Sequence, residues 1–202
     1  MITALTPTGA RPEAFAACVE QMRAQDHPGP VRWVIVDDGP EPEPRDRDWP
    51  EGWSIIVVRP KPVWEPGENT LARNLVAGLA RCTQRVVIVE DDDCYATWWL
   101  RQCDAWLDTH DLVGEAPSLY RHRNGRERLM GNTDHASLCS TALRGPALDA
   151  LRRSCEQGAK GIDLRLWRDF GGSKRLYPPQ PRGVTGIKGY PGRPGLGVGH
   201  RL

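Results

Sequence analysis

Residues 85–95 read RVVIVEDDDCY: an apolar run, Val86 to Val89, passes directly into Glu90, Asp91, Asp92 and Asp93. An unbroken β-branched run of this kind is a strand buried on both faces, as in a parallel sheet, and the acids that end it cannot share that burial. Adjacent carboxylates raise one another's pKa by repulsion unless a cation is close. A hard divalent ion, Mg²⁺ or Mn²⁺, would relieve the conflict, and such ions commonly bridge protein carboxylates to substrate phosphates. The alternative is a solvated acidic turn before the next helix, where Asp and Glu meet the positive end of its dipole.

Outward from this stretch, strands alternate with helices. ITALT (2–6) is a short apolar strand, and Pro12 opens PEAFAACVEQMRAQ, in which Phe15, Cys18, Val19 and Met22 recur at helical spacing. VRWVIVDD (31–38) is a second strand buried on both faces, followed by a loop over 39–52 too rich in Pro and charge to be regular. SIIVV (54–58) is a third strand, NTLARNLVAGLARC (69–82) a helix with Leu71, Leu75, Leu79 and Cys82 on one face, and ATWWLRQCDAWLDTH (96–110) a helix aligning Trp99, Cys103 and Trp106. This order predicts a doubly wound α/β layer. Beyond Asp111 the alternation fails: DLVGE (111–115) reads as a strand, Asn124-Gly125 marks a hairpin within LYRHRNGRERLM, and helices are expected near 145–156 and 162–170.

A chain of 202 residues and 22.5 kDa suits a single domain. No basic region followed by an apolar core opens it, and no apolar run approaches the roughly 18 residues of a membrane span, so a cytoplasmic protein is expected. The six cysteines show no CxxC pairing and sit mostly in apolar stretches, which argues against a zinc ribbon or a disulfide framework. Net charge is +1, but unevenly spread: acids dominate between Asp37 and Glu115, whereas the segment from Arg144 onward is strongly basic. A basic surface of this kind suits solubility or, more sharply, a polyanion or phosphate.

Ligands of an open parallel sheet bind beyond the carboxyl ends of its strands. Here three strands end in TPTGARP, DDGPEPE and EDDDCY, so polar groups converge on one rim. The ordered set TPTGARP, VDDG, LARNLVAGLA and an apolar strand into EDDDCYATWWL resembles the GT-A glycosyltransferases, specifically the family 2-like group, over about the first 110 residues. The resemblance implies a Rossmann-like, mostly parallel sheet flanked by helices with a small antiparallel acceptor-side addition. It divides the chain into a nucleotide-sugar-binding half (1–110), an acceptor-side half (111–182) and a glycine-rich C-terminal segment (183–202). By the same resemblance Thr6, Pro7, Thr8 and Arg11 line the nucleotide pocket, Asp38 hydrogen-bonds the base and Arg73 lies near the base or diphosphate. Asp91 approaches the ribose and Asp92 ligates the metal, with Glu90 standing where many relatives have an Asp.

Inverting transfer needs a carboxylate to take the proton of the attacking acceptor hydroxyl. In similar enzymes it opens a helix, often in a Glu-Asp pair; GAKGIDLRLWRDF keeps Asp163 with Ile162 in place of the Glu, and Asp169 is a second choice. The competing reading of Asp163 is an N-terminal helix cap, favoured by Gly161 before it. Helical spacing assigns Trp99 and Trp106 to the core and leaves Trp98 as the Trp open to a stacking role. HASLCSTALR (135–144) reads as the central acceptor-side strand, with His135 either structural or in contact with substrate.

The C-terminal stretch GVTGIKGYPGRPGLGVGHRL (183–202) places a glycine at every third position from Gly183 to Gly195. Collagen needs far longer arrays, and a linker needs something to link. The remaining reading is a mobile lid in which Lys188 and Arg193 neutralise a diphosphate and His200 completes the metal site. The expectation is thus a metal-dependent, inverting glycosyltransferase using a nucleoside diphosphate sugar, a UDP-sugar foremost. Its basic last quarter and Arg121, Arg123, Arg126 and Arg128 on the hairpin fit a polyanionic acceptor such as DNA, and in size and layout the chain resembles small bacteriophage enzymes that glycosylate hydroxymethylated DNA bases. Alternatives are a glycan or lipid acceptor, a sugar nucleotidyltransferase, for which TPTGARP supplies only a fragment of the needed loop, or a binding module without turnover.

Overall fold

A computed structural model describes residues 1–42 and 48–194. The expected alternation is present: β1 (Ile2–Thr8), α1 (Pro12–Arg23), β2 (Val31–Asp37), β3 (Trp53–Val58), α2 (Leu71–Leu79), β4 (Arg85–Ile88), a short β5 (Cys94–Tyr95) and α3 (Trp99–Trp106). There follow β6 (Leu112–Glu115), β7 (Leu119–His122), β8 (Glu127–Leu129), a 3-10 turn at Leu138–Ser140, β9 (Thr141–Arg144), α4 (Pro146–Glu156), α5 (Ile162–Asp169), β10 (Lys174–Tyr177) and β11 (Val184–Lys188).

The large sheet has seven strands in the order β10-β6-β9-β4-β1-β2-β3. Every neighbouring pair is parallel except those of β9, which runs antiparallel to both β4 and β6. Side chains alternate across it. Ile2, Ala4, Trp33, Ile35 and Val87 pack with α1 and α3 on one face, while Leu5, Val34, Val36, Val86 and Ile88 pack with α2, α4 and α5 on the other. Burial on both faces is why β2 and β4 read as continuous apolar runs. β1 runs two residues further than its apolar sequence suggested. Pro7 lies beyond Leu5, the last residue β1 pairs with β4, where a strand tolerates a missing N–H.

The second sheet, in the order β5-β11-β7-β8, joins the expected hairpin to two short strands. The hairpin turns at Gly125, φ 89°. The segment expected as a mobile lid begins instead as β11, paired parallel to β7 and antiparallel to β5. Its glycine period has a packing cause. A Cβ on Gly183 would strike the Trp99 ring, and one on Gly186 would strike the Tyr120 ring. Gly186→Ala is expected to cost about 1–3 kcal/mol in urea unfolding, because Tyr120 cannot yield without releasing its 2.9 Å hydrogen bond to Ser137 Oγ. A cost near zero would show that Tyr120 is free to shift.

All six cysteines are free thiols. No helix of the described residues is long and apolar enough to cross a membrane.

Candidate active site

β1, β2 and β4 end at one rim of the large sheet, and the polar groups that follow them meet there. Thr8 Oγ1 donates to Asp91 Oδ2 at 2.7 Å, and one Arg11 nitrogen lies 3.1 Å from Asp91 Oδ1 and 2.9 Å from Asp92 Oδ2. Burial pushes the Asp91 carboxyl up to about 6 against the pull of Arg11. Burial works against the Arg11 charge too, but Asp91 and Asp92 outweigh it and raise its pKa.

Asp93 turns the other way, toward β11. Its Oδ1 accepts from the Ile187 N–H at 2.9 Å and from Lys188 Nζ at 3.1 Å, and the same ammonium is 3.7 Å from Asp92 Oδ2. Lys188 is 4 % exposed, with its Nζ 5.2 Å from the centre of the Tyr120 ring. Burial would depress its pKa, but Asp93, Asp92 and Glu90 together push it well above the ordinary lysine value. Expected at a diphosphate, Lys188 instead neutralises the floor of the acidic cluster.

The second cluster centres on Asp38, which is fully buried. Gly9, at φ 143°, lets the loop after β1 pass so close that a Cβ there would lie 2.5 Å from Asp38 Oδ1. Thr70 Oγ1 donates to Asp38 Oδ2 at 2.5 Å, Arg73 adds a bond to the same oxygen at 3.1 Å, and Arg193 donates to Oδ1 at 2.8 Å. Arg193 thus reaches the side expected to hold the base. The reason is the path of the chain after β11: the Arg193 N–H donates to Ala10 O at 3.0 Å, and Gly192, at φ 96°, lies against the same carbonyl.

Other expected residues make contacts outside these two clusters. Thr6 is fully buried, and its Oγ1 accepts from Trp33 Nε1 at 2.8 Å, one step deeper on the face that Thr8 shares. Pro7 is buried in β1. Asp163 stands in the first turn of α5, partly exposed, with its Oδ1 accepting from the Leu164 N–H at 2.9 Å. Asp169 is an exposed partner of Arg168. His135 pairs with neighbouring Asp134 at 2.6 Å. Trp98 is half-buried and, with Gln102, Trp106 and Glu115, lines a cleft of about 260 Å³. His200 lies outside the described residues.

Sequence reasoning missed three residues. Arg59 follows β3 and bonds both Asp37 Oδ2 at 2.7 Å and Gly39 O at 2.8 Å; the rule that parallel strands share a rim would have found it. Thr70 lies just before α2. Trp64 sits in a Pro-rich loop, where a large aromatic without periodic partners was the available signal.

Arg11 and Lys188 lie among Glu90, Asp91, Asp92 and Asp93, and among the described residues Asp93 Oδ2 is buried without a hydrogen bond. Glu90, Asp93 and Cys139 each place a ligand atom within 4.8 Å of the others. The carboxylate oxygens of Glu90 and Asp93 are hard donors that suit a divalent cation such as Mg²⁺ or Mn²⁺; the Cys139 thiol is not a hard donor.

No curated protein sequence matches the chain. Solved structures share its fold. TarS of S. aureus aligns with a TM-score of 0.66 at 12% identity, over 92% of this chain and 36% of that one. A shorter form of TarS, residues 1–349, in complex with UDP aligns with a TM-score of 0.64 at 13% identity, over 93% and 60%. The mannosyltransferase PcManGT from Pyrobaculum calidifontis, in complex with GDP-Man and Mn²⁺, aligns with a TM-score of 0.58 at 15% identity, over 88% and 55%. The chain therefore spans less than two thirds of the length of these relatives. The family model for Glycosyl transferase family 2 matches residues 3–163, and the chain belongs to that family.

Proposed function

We propose that the chain transfers a sugar from a nucleoside diphosphate sugar to an acceptor hydroxyl, with inversion at the anomeric carbon. The observation that carries this reading is the convergence of two buried carboxylate clusters, Asp38 with Thr70 and Arg73, and Asp91 and Asp92 with Thr8 and Arg11, on one rim of a parallel sheet. Asp38 accepts from the base and Asp91 from the ribose, and Arg11, partly exposed above both carboxylates, faces the diphosphate. A divalent ion, Mg²⁺ or Mn²⁺, would be held by Asp92, with His200 as the expected second ligand, and would supply positive charge to the departing diphosphate. Asp163 takes the acceptor's proton.

For the acceptor, the basic hairpin supports a polyanion, and we propose hydroxymethylated bases in DNA, modified in a cytoplasm. Arg121 pairs with Glu127 and Arg123 with Glu13, each at 2.6 Å, whereas Arg126 and Arg128 are exposed on the same hairpin. The target base would be flipped out of the stack. The test is nucleoside diphosphate release from a panel of sugar nucleotides, with Mn²⁺ and with hydroxymethylated DNA, followed by mass analysis of the nucleosides. Transfer to DNA should fall steeply as salt rises. Efficient, salt-insensitive transfer to an uncharged glycan would replace DNA as the acceptor, and absence of any diphosphate release would overturn the enzymatic reading.

A further inference from the structure

We infer that the slot formed by Asp38, Thr70 and Trp64 is built for guanine, so that the donor is a guanosine diphosphate sugar, and that Arg193 fills this slot in the free chain. The inference rests on the glycosyltransferase reading and adds the identity of the base to it.

The slot is defined by what Arg193 does in it. One guanidinium nitrogen donates to Asp38 Oδ1 at 2.8 Å, the other to Thr70 Oγ1 at 2.5 Å, and the guanidinium carbon lies 5.0 Å from the centre of the Trp64 ring. A flat group carrying two adjacent N–H donors is thus set against an aromatic face and a pair of acceptors. Thr70 can only accept there, because its own proton is committed to Asp38 Oδ2. The second oxygen of Asp38 is further occupied by Arg73. Trp64 is tied to the same residue, its N–H donating to Asp38 O at 2.7 Å, and its indole N–H donates to Glu68 O at 3.2 Å, which fixes the ring.

Two neighbouring acceptors select among the bases. Guanine offers N1–H beside the exocyclic N2 amine, an edge with the same donor pair as a guanidinium. Uracil offers one N–H flanked by two carbonyls, so a carbonyl oxygen would face the Thr70 oxygen. Adenine and cytosine each set a ring acceptor beside the amine. A mismatched edge leaves a buried acceptor facing an acceptor, and that costs more than a missing contact.

Arg193 is suited to leave. Residues 191, 192 and 194 are exposed, and among the described residues the segment 191–194 is hydrogen-bonded to the domain by the Arg193 N–H to Ala10 O and by the Arg193 side chain. Its departure leaves Asp38 paired with Arg73. Guanine then takes the two acceptors and the indole face.

The test measures binding of GDP, inosine diphosphate, UDP, ADP and CDP to the full chain with Mn²⁺, by calorimetry and by quenching of tryptophan fluorescence. GDP should bind about tenfold or more tightly than UDP, ADP or CDP. Inosine diphosphate, which lacks only the N2 amine that would reach Thr70, should bind several-fold more weakly than GDP. Arg193→Ala should raise GDP affinity about fivefold, since the competent slot is then always open. UDP binding as tightly as GDP, or no difference between GDP and inosine diphosphate, overturns the choice of guanine. Unchanged or weaker GDP binding by Arg193→Ala overturns the filling of the slot. If none of the five binds, the donor reading itself fails along with this inference.

Discussion

Asp163→Asn is expected to lower kcat by about 10²–10⁴-fold while leaving nucleoside diphosphate affinity unchanged. The substitution keeps size and polarity and removes the ability to take a proton. It also separates chemistry from structure. Asp163 lies in the first turn of α5, where a negative charge favours the helix by only about 0.3–1 kcal/mol. Its hydrogen bond is local, to the Leu164 N–H, and an Asn oxygen can accept it equally well. A variant that keeps its thermal midpoint and its donor affinity but loses turnover therefore identifies the base. Asp169→Asn is the matched control: its carboxylate is exposed and held by Arg168, and turnover should be unaffected. More than half of wild-type kcat in Asp163→Asn would move the base elsewhere, and loss of activity in Asp169→Asn alone would exchange the two assignments.

How far the sequence could be read depended on how local each signal was. β2 and β4 announce themselves because burial on both faces leaves an unbroken apolar run, and the acids that end β4 lie at the rim where such a sheet binds ligands. Of the strand expected over 135–144 only the last four residues form β9; 135–137 are irregular and Leu138–Ser140 form a 3-10 turn. β10 and β11 were not legible. KRLY is short and charged, and VTGIK is interrupted by a glycine whose reason is the ring of Tyr120, a residue 66 positions away in sequence by simple difference of their numbers. The three-residue glycine period suggested a flexible flap, yet the strand beneath it follows from contacts that only the fold creates. The positions of Lys188 and Arg193 were hidden for the same cause. Both are cations in a glycine-rich tail, and nothing local says that one is buried beneath Asp92 and Asp93 while the other crosses to Asp38. Thr6 and Thr8 look equivalent in TPTGARP; the depth of β1 in the sheet sends one to Trp33 and the other to Asp91.

Lys188→Met should destabilise the folded chain by about 3–5 kcal/mol, measured by urea unfolding, with little direct effect on donor affinity in whatever fraction remains folded. The ammonium is the partner of Asp93 Oδ1 at 3.1 Å, and Asp93, 2 % exposed, already has its other oxygen without a hydrogen bond. Removing Lys188 leaves that carboxylate facing Glu90 and Asp92 with the Ile187 N–H still in place and, among the described residues, no ion-pair partner. Methionine keeps most of the volume against Tyr120, so the loss reports charge rather than a cavity. The double variant Lys188→Met, Asp93→Asn removes both charges together and should recover part of the lost stability, giving a coupling of about 1 kcal/mol or more. A diphosphate ligand would behave in the opposite way: Lys188→Met would weaken nucleoside diphosphate binding by about tenfold or more, leave urea unfolding near wild type, and show no coupling to Asp93. The two outcomes separate a cation that supports the acidic cluster from one that touches the donor.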